Sequence, residues 1–561
     1  MAEEDEGVSI LNSSWALPTT IAIGIITPFA LPLYSLSMGE DSANAFWDHA
    51  LRSLDWSFTL RSHPFLLFVI GCTVIGLSYW LKNKHSQQEW WVITRLASGF
   101  VLGCVIAAVI IHLLLDVAYF RGGFVLIAAT YSMAIIALLV ILFPRPIPLI
   151  FRLNETIDWR RTVGNFAHVS LIILCALLMI PAIPAMLGTA AAPPSAPSTG
   201  YGSNPAPYSI STKAFAYPMP NEVTEIIGDV EDELEFSIYL SLPIIPLENR
   251  SEKIPLAIML HGFGSPEWSV YEDWINHLSA KGMAVAYLQY PSDVHPDGAD
   301  DFDLIEAKGM SNHPQHIPRS AAIAAGIEYL SSIALQENRT QWIDSILGNS
   351  TIDTANLWIG GHSLGAGLSF RTIDDALARG WGNESLFIAL EAPYLHSVDE
   401  QLRGDLSELP DHTIAHIAIS EDDTSVSPCN GAWHQKRIIA RDGSGLLAEE
   451  RILTLIVPSD RHGFPPMVAS HYLQATPVHD TLADWGFYRR ADAQADYLVS
   501  QSGDINAGLS AESYLLNHSW LSQMGEWSDG TPVNKMEVYQ QALTSDAEIF
   551  SGCADEIDAW E

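Results

Sequence analysis

The pentapeptide Gly361-His362-Ser363-Leu364-Gly365 restricts the fold of this 561-residue chain more than any other feature. It lies between an apolar run at 356–359 that suits a buried strand and a run at 364–379 that suits a helix. A strand that turns into a helix over so few residues bends too tightly for neighbouring Cβ atoms. Glycine on both sides of the serine is therefore a steric requirement, and the bend holds the hydroxyl clear of the backbone. The pattern alone recurs by chance; its strand-to-helix setting makes Ser363 a nucleophile position.

From about residue 212 onward, short β-rich runs alternate with helical stretches, which predicts an α/β layer architecture with a mostly parallel, doubly wound sheet. Strands are expected at 233–242, 254–260, 284–288, 356–359, 386–390, 413–419 and 451–457, with a helix over 321–330. In such a sheet the site lies at the carboxyl ends of the strands.

A serine needs a base, and the base needs an orienting acid; the chain order for this architecture is Ser, acid, His. The 413–419 strand is followed by Ser420-Glu421-Asp422-Asp423, and the 451–457 strand by Pro458-Ser459-Asp460-Arg461-His462. Position therefore selects His462 among nineteen histidines, with His471 and His479 expected at the surface. Two backbone N–H groups must face the oxyanion, and these are expected from Leu364, after the serine, and Phe263, in the His261-Gly262-Phe263-Gly264 loop after the 254–260 strand. His261 is expected to fix that loop. Trp268, Tyr271 and Trp274 follow it and are candidates for lining an acyl pocket.

On these motifs, HGFG, GHSLG, the acid loop and the final histidine, the region from Glu233 to His471 resembles the α/β-hydrolase family of serine esterases and lipases. The HGFG segment with the following VYEDWINHLSAKGMAVA is similar to the dienelactone-hydrolase, chlorophyllase and cutinase-like branch. Ala366 before Gly367 and Ser420 at the start of the acid loop depart from the cutinase-like pattern, so no substrate follows from the branch. The resemblance implies ester cleavage by Ser363, His462 and Asp423 without a cofactor or metal. Asp423 is preferred to Glu421 and Asp422 because its spacing to Val426 gives the D-x-x-V pattern of acid loops in the family; the other two are expected to face solvent.

Residues 1–187 are different in kind. They hold 12 acids and 10 bases, whereas 188–561 hold 53 acids and 18 bases, dividing a net charge of −37 into −2 and −35. Five apolar runs, at 16–36, 65–81, 96–120, 122–142 and 169–187, approach the length of a bilayer-spanning helix, so about five transmembrane spans are expected. Lys82, Lys84 and Arg95 after the second run, and Arg145, Arg152, Arg160 and Arg161 after the fourth, favour the cytoplasm for those loops. This orientation puts the N-terminus inside and the hydrolase domain outside. His112 and Asp116 share one face of the third run; the acid lies near its outer end, where it reaches the interface. A Pro/Ala/Gly/Ser-rich linker at 188–211 joins this region to a hydrolase domain at 212–561.

The absence of a basic stripe excludes a general nucleic-acid binder. The implied partners are an ester or acyl substrate and the lipid bilayer. The acidic stretch 293–306 lacks the ligand spacing of a calcium loop and is expected to be a solvated lid. An external location would let Cys429 and Cys553 pair. The competing readings are a membrane sensor or transport component with a non-catalytic hydrolase-like domain, and an acyltransferase or peptidase using the same triad.

Overall fold

The computed structural model describes residues 15–37, 64–85, 89–114 and 121–142, most of 170–202, and 207–560 except 222, 224–235, 247–252, 293–315, 335–338, 395–402 and 502–504. The expected acidic lid falls wholly outside the described residues, as do the side chains of His112 and Asp116. The chain divides into two compact units. The first comprises Met1–Pro193 with Asp460–Val468 and Trp527–Thr531, and the second the remainder.

In the first unit, four helices occupy the first four apolar runs: α1 (Ala16–Ser37), α2 (Pro64–His85), α3 (Glu89–Leu114) and α4 (Arg121–Leu142). Helix α3 begins earlier than the expected third span, and its apolar window is Trp90–Ile110. Helices α1 and α3 meet backbone to backbone. A Cβ on Gly24 would lie 2.1 Å from the Phe100 carbonyl oxygen, and one on Gly103 2.2 Å from that of Ile21. Gly99 and Gly103, four apart, form the small-residue face that permits this approach.

The expected count of five spans is not supported. Among the described residues only Trp90–Ile110 is long and apolar enough to cross a membrane by length and composition. The apolar stretches found among the described residues of the other helices are the shorter Ala16–Ala30, Phe68–Leu81 and Tyr131–Leu142. The fifth run is only partly described; residues 170–177 are helical.

The second unit is built on a nine-stranded sheet: β1 (Ser209–Ala216), β2 (Ser237–Ile244), β3 (Lys253–Leu260), β4 (Ala284–Leu288), β5 (Thr351–His362), β6 (Ser385–Glu391), β7 (Ile414–Ser420), β8 (Ile452–Val457) and β9 (Glu537–Tyr539). The order is β1-β2-β4-β3-β5-β6-β7-β8-β9. Strands β4-β3-β5-β6-β7-β8 run parallel, and the edges are antiparallel. Every residue of β6, β7 and β8 is buried, as expected of parallel strands covered on both faces. The flanking helices include α5 (Glu272–Ala280), α6 (His316–Ala334), α7 (Gln341–Leu347), α8 (Leu364–Ala378), α9 (Pro428–Ala440), α10 (Arg489–Gln501), α11 (Ile505–Leu515) and α12 (Cys553–Trp560). This mixed sheet with flanking helices fits an α/β-hydrolase domain.

Six of the seven expected strands are observed to within a few residues of their predicted ends; β5 is longer, and β1 and β9 were not anticipated. Strand β1 begins at Ser209, inside the expected linker. Sequence order reverses on either side of β3: the chain passes from β3 to β4 on one side and later to β5 on the other. In open α/β sheets ligands bind outside the carboxyl ends of the strands where order reverses, and the loops after β3 and β5 leave the sheet at those ends. Cys429 on α9 and Cys553 on α12 form a disulfide with Cα atoms 5.0 Å apart, within a buried cluster that includes Trp433 and Phe550.

Candidate active site

Ser363 stands at the junction of β5 and α8 with φ 54° and ψ −121°, a left-handed conformation that costs a non-glycine residue about 1–3 kcal/mol. Tertiary contacts hold it there. The Ser363 N–H donates to the Glu391 carbonyl at 2.9 Å, and the Ser363 carbonyl accepts from the amides of Gly367 at 3.2 Å and Tyr394 at 3.1 Å. The flanking glycines are required by contact: a Cβ on Gly361 would lie 2.4 Å from the Leu260 carbonyl oxygen, and one on Gly365 2.3 Å from that of His261. Behind the turn, the Glu391 carboxylate receives both terminal nitrogens of Arg490 on α10, at 2.8 and 3.0 Å. Burial raises the Glu391 pKa and Arg490 opposes the rise, so the pair is a buried brace for the strand end that anchors Ser363.

Leu364 is the first residue of α8, so its N–H has no intrahelical acceptor. Phe263 lies in the loop after β3, with its ring half-exposed and facing the Arg319 guanidinium at 5.6 Å. Neither amide has a protein partner among the described residues. His261 fixes this loop, as expected from its position. Its Nδ1–H donates to the Gly262 carbonyl, its Nε2 accepts the Tyr290 N–H at 3.1 Å, and its ring stacks on Tyr290 at 4.0 Å. Burial lowers its pKa to about 4, which leaves the ring neutral and this tautomer intact.

Asp423 is held at both carboxylate oxygens. Its Oδ1 accepts the amides of Ser425 at 2.8 Å and Val426 at 3.0 Å, and its Oδ2 faces a histidine Nδ1 at 2.7 Å. That histidine is His471, not the expected His462. The side chains of Asp423 and His471 are 4% and 5% exposed, and the His471 Nε2 has no partner among the described residues. The His471 ring lies 4.6 Å from that of His362, the residue before the serine.

His462 is engaged elsewhere. Its Nε2 meets Asp529 at 2.8 Å, both side chains are more than 40% exposed, and its ring stands edge-on to Trp527, all within the first compact unit. The reason lies in the chain path after β8. Ser459 and Ala469 are clamped together, the Ala469 N–H donating to Ser459 Oγ at 2.8 Å, so the intervening residues form an excursion. The same Ser459 hydroxyl donates to Asp422 at 2.5 Å, the Ser459 N–H donates to Glu421 at 2.7 Å, and the Asp422 N–H donates to the Ala469 carbonyl at 3.0 Å. Glu421 is exposed as expected, whereas Asp422 is partly buried; both pin the base of the loop that delivers His471. His479 is also structural: it bridges Asp273 at 2.8 Å and Asp484 at 2.7 Å.

The three aromatic candidates separate. Trp274 is core, its ring packed edge-on against Trp358 and Phe487. Tyr271 is buried, with its hydroxyl bonded to Gly262 and His362. Trp268 is partly buried and stacks over Tyr239 at 6.3 Å. No spacing in the sequence distinguishes His471 from His462; the signal is the pairing with Asp423, which exists only in the fold.

No protein-family model and no curated protein matches the chain. Among solved structures, similarity is found to a chain from a structural analysis of two fungal esterases from Rhizomucor miehei, with 12% identity and a TM-score of 0.30, covering 52% of this chain and 83% of that one. Similarity is also found to carboxyl esterase 2 of the mycorrhizal fungus Tuber melanosporum, with 14% identity and a TM-score of 0.29, covering 53% and 90%. Superpositions this loose carry no functional weight, which rests on the geometry of the site.

Proposed function

We propose that this chain is a serine hydrolase that cleaves carboxylic esters, with Ser363 as nucleophile, His471 as base and Asp423 as orienting acid. The observation that carries the reading is the buried Asp423–His471 pair, with two backbone amides on the far carboxylate oxygen, next to an elbow whose serine has a left-handed backbone. With its Nδ1–H bonded to Asp423, His471 presents a basic Nε2. Ser363 Oγ attacks the ester carbonyl and passes its proton to His471 Nε2, while Asp423 stabilises the imidazolium. The amides of Phe263 and Leu364 donate to the oxyanion. Collapse expels the alcohol, which takes the proton from His471 and leaves an acyl-serine. Water, activated by the same ring, releases the acid and restores the hydroxyl. This chemistry requires no cofactor.

The N-terminal helical unit serves in this reading as a membrane anchor, with the hydrolase domain outside the cytoplasm. Support comes from the Trp90–Ile110 helix and from apolar side chains left exposed on the bundle, such as Ile23, Ile26, Val74, Leu77, Ile93 and Val101. The Cys429–Cys553 disulfide fits an oxidising compartment.

The full-length chain, treated with a fluorophosphonate probe and assayed on p-nitrophenyl esters of increasing acyl length, tests the enzymatic reading. Labelling and turnover are expected for the wild type and neither for Ser363→Ala. A wild-type chain inert to both is a binding module, and the hydrolase reading is then wrong.

A further inference from the structure

The residue before the nucleophile and a tyrosine after the oxyanion loop are joined by a hydrogen-bond chain that the reaction above does not use. The Gly262 N–H donates to Tyr271 Oη at 3.0 Å, Tyr271 Oη lies 3.0 Å from His362 Nδ1, and His362 Nε2 lies 2.8 Å from the His471 carbonyl oxygen. The proton positions are fixed from one end. A carbonyl can only accept, so His362 Nε2 carries the hydrogen; in a neutral ring Nδ1 must then accept, and Tyr271 must donate to it. The tyrosine oxygen keeps a lone pair for the Gly262 amide, and no member competes with another.

We propose that Tyr271 and His362 are positioning residues that tie the oxyanion loop to the loop carrying His471, so that the two halves of the catalytic machinery keep one register. The inference rests on the hydrolase reading. The chain spans three separate parts of the fold: the loop after β3, the end of β5, and the segment after β8. Its side chains are enclosed, with Tyr271 1% and His362 2% exposed. Space is as restricted as bonding. A Cβ on Gly262 would stand 3.1 Å from both the Tyr271 hydroxyl and His362 Nδ1, and 3.4 Å from the Ser363 Cβ.

His362 keeps this polarity across the pH range of ester hydrolysis. Burial, followed by the adjacent His471, holds its pKa well below that of an ordinary histidine. The ring stays neutral, and Nδ1 remains an acceptor. The variable position of the G-x-S-x-G turn is thus an anchor for the backbone of the general base. Replacing the ring removes a tether on His471 without touching the triad side chains.

Four variants of the full-length chain test this: Tyr271→Phe, His362→Phe, the double Tyr271→Phe/His362→Phe, and His362→Gln. The glutamine retains an N–H near the position of the imidazole Nε2. Turnover of p-nitrophenyl butyrate, the rate of fluorophosphonate labelling and the melting temperature are measured for each. The expected result is a roughly tenfold fall in kcat for Tyr271→Phe and about a hundredfold fall for His362→Phe, with KM within about twofold. The double variant should be no slower than His362→Phe, because both changes cut one chain. His362→Gln should recover most of the His362→Phe loss at comparable melting temperature. Losses that multiply in the double variant, kcat within twofold of wild type for both single variants, or losses that follow melting temperature without glutamine recovery, each overturn the relay. A wild type that labels and turns over while the variants match it sinks the relay alone; a wild type that never labels sinks the hydrolase reading and the relay together.

Discussion

Changing Asp423 to asparagine tests the acid assignment most sharply, because the two carboxylate oxygens have different duties. Oδ1 accepts two backbone amides, from Ser425 and Val426, while Oδ2 accepts the His471 Nδ1–H. Asparagine has one oxygen and one NH2 in their place. If the oxygen stays with the two amides, the NH2 faces His471, and Nδ1 must become an acceptor. The proton then sits on Nε2, which cannot accept the Ser363 proton. The reverse orientation aims NH2 hydrogens at two backbone donors and abandons both; the exposed Ser425 amide can turn to water, but the part-buried Val426 amide is left unsatisfied, at about 1–3 kcal/mol. The first orientation therefore wins, and the protein folds with the wrong tautomer. The expected loss in kcat is about 10⁴-fold, equivalent to about 5 kcal/mol in the barrier. KM and melting temperature should change little. The assay is steady-state hydrolysis of p-nitrophenyl butyrate alongside Asp422→Asn, which retains an acceptor for the Ser459 hydroxyl and should lose less than tenfold. A kcat for Asp423→Asn within tenfold of wild type, or a greater loss for Asp422→Asn, would refute the reasoning.

Other outcomes follow from the same structure. His471→Ala should reduce kcat by at least about three orders of magnitude, and His462→Ala should leave it within about twofold, since His462 serves an exposed pair with Asp529; parallel turnover measurements decide between them. His479 has a folded pKa of about 9: burial would lower it, but hydrogen bonds and charge from Asp273 and Asp484 outweigh burial. Its stabilising contribution is fully present below the unfolded value near 6.5 and is lost as pH rises through about 9. Melting temperature should therefore fall between these limits, and His479→Gln should flatten the fall. The Cys429–Cys553 bridge spans 124 residues, for which chain entropy gives an upper bound of about 5 kcal/mol; a melt after reduction that matches the oxidised protein would show that the bridge contributes nothing.

The sequence by itself determined what depends on contiguous residues. The elbow was legible because its steric demand, small residues on either side of a serine between strand and helix, is written in five consecutive positions. Phe263 and Leu364 were named as neighbours of that turn and of a strand end, and Asp423 by the D-x-x-V pattern of the family that the region resembles; in the fold its Oδ1 accepts the Val426 amide at 3.0 Å. The strands were legible because parallel strands buried on both faces read as continuous apolar runs. The contrast in charge and apolarity between residues 1–187 and the rest was equally plain, although the number of spans was not: among the described residues one helix, not five, meets the length and apolarity of a crossing. Only tertiary structure decided which histidine meets Asp423. Nineteen imidazoles are chemically equal in the sequence, and the selection is made by a clamp of Ser459 on Ala469, with Asp422 behind it, that sets residues 460–468 aside and brings the chain back at His471. The Gly262–Tyr271–His362–His471 chain was hidden for the same reason. Its members are 9, 91 and 109 residues apart along the chain, and hydrogen bonds over such separations leave no periodicity or spacing to read.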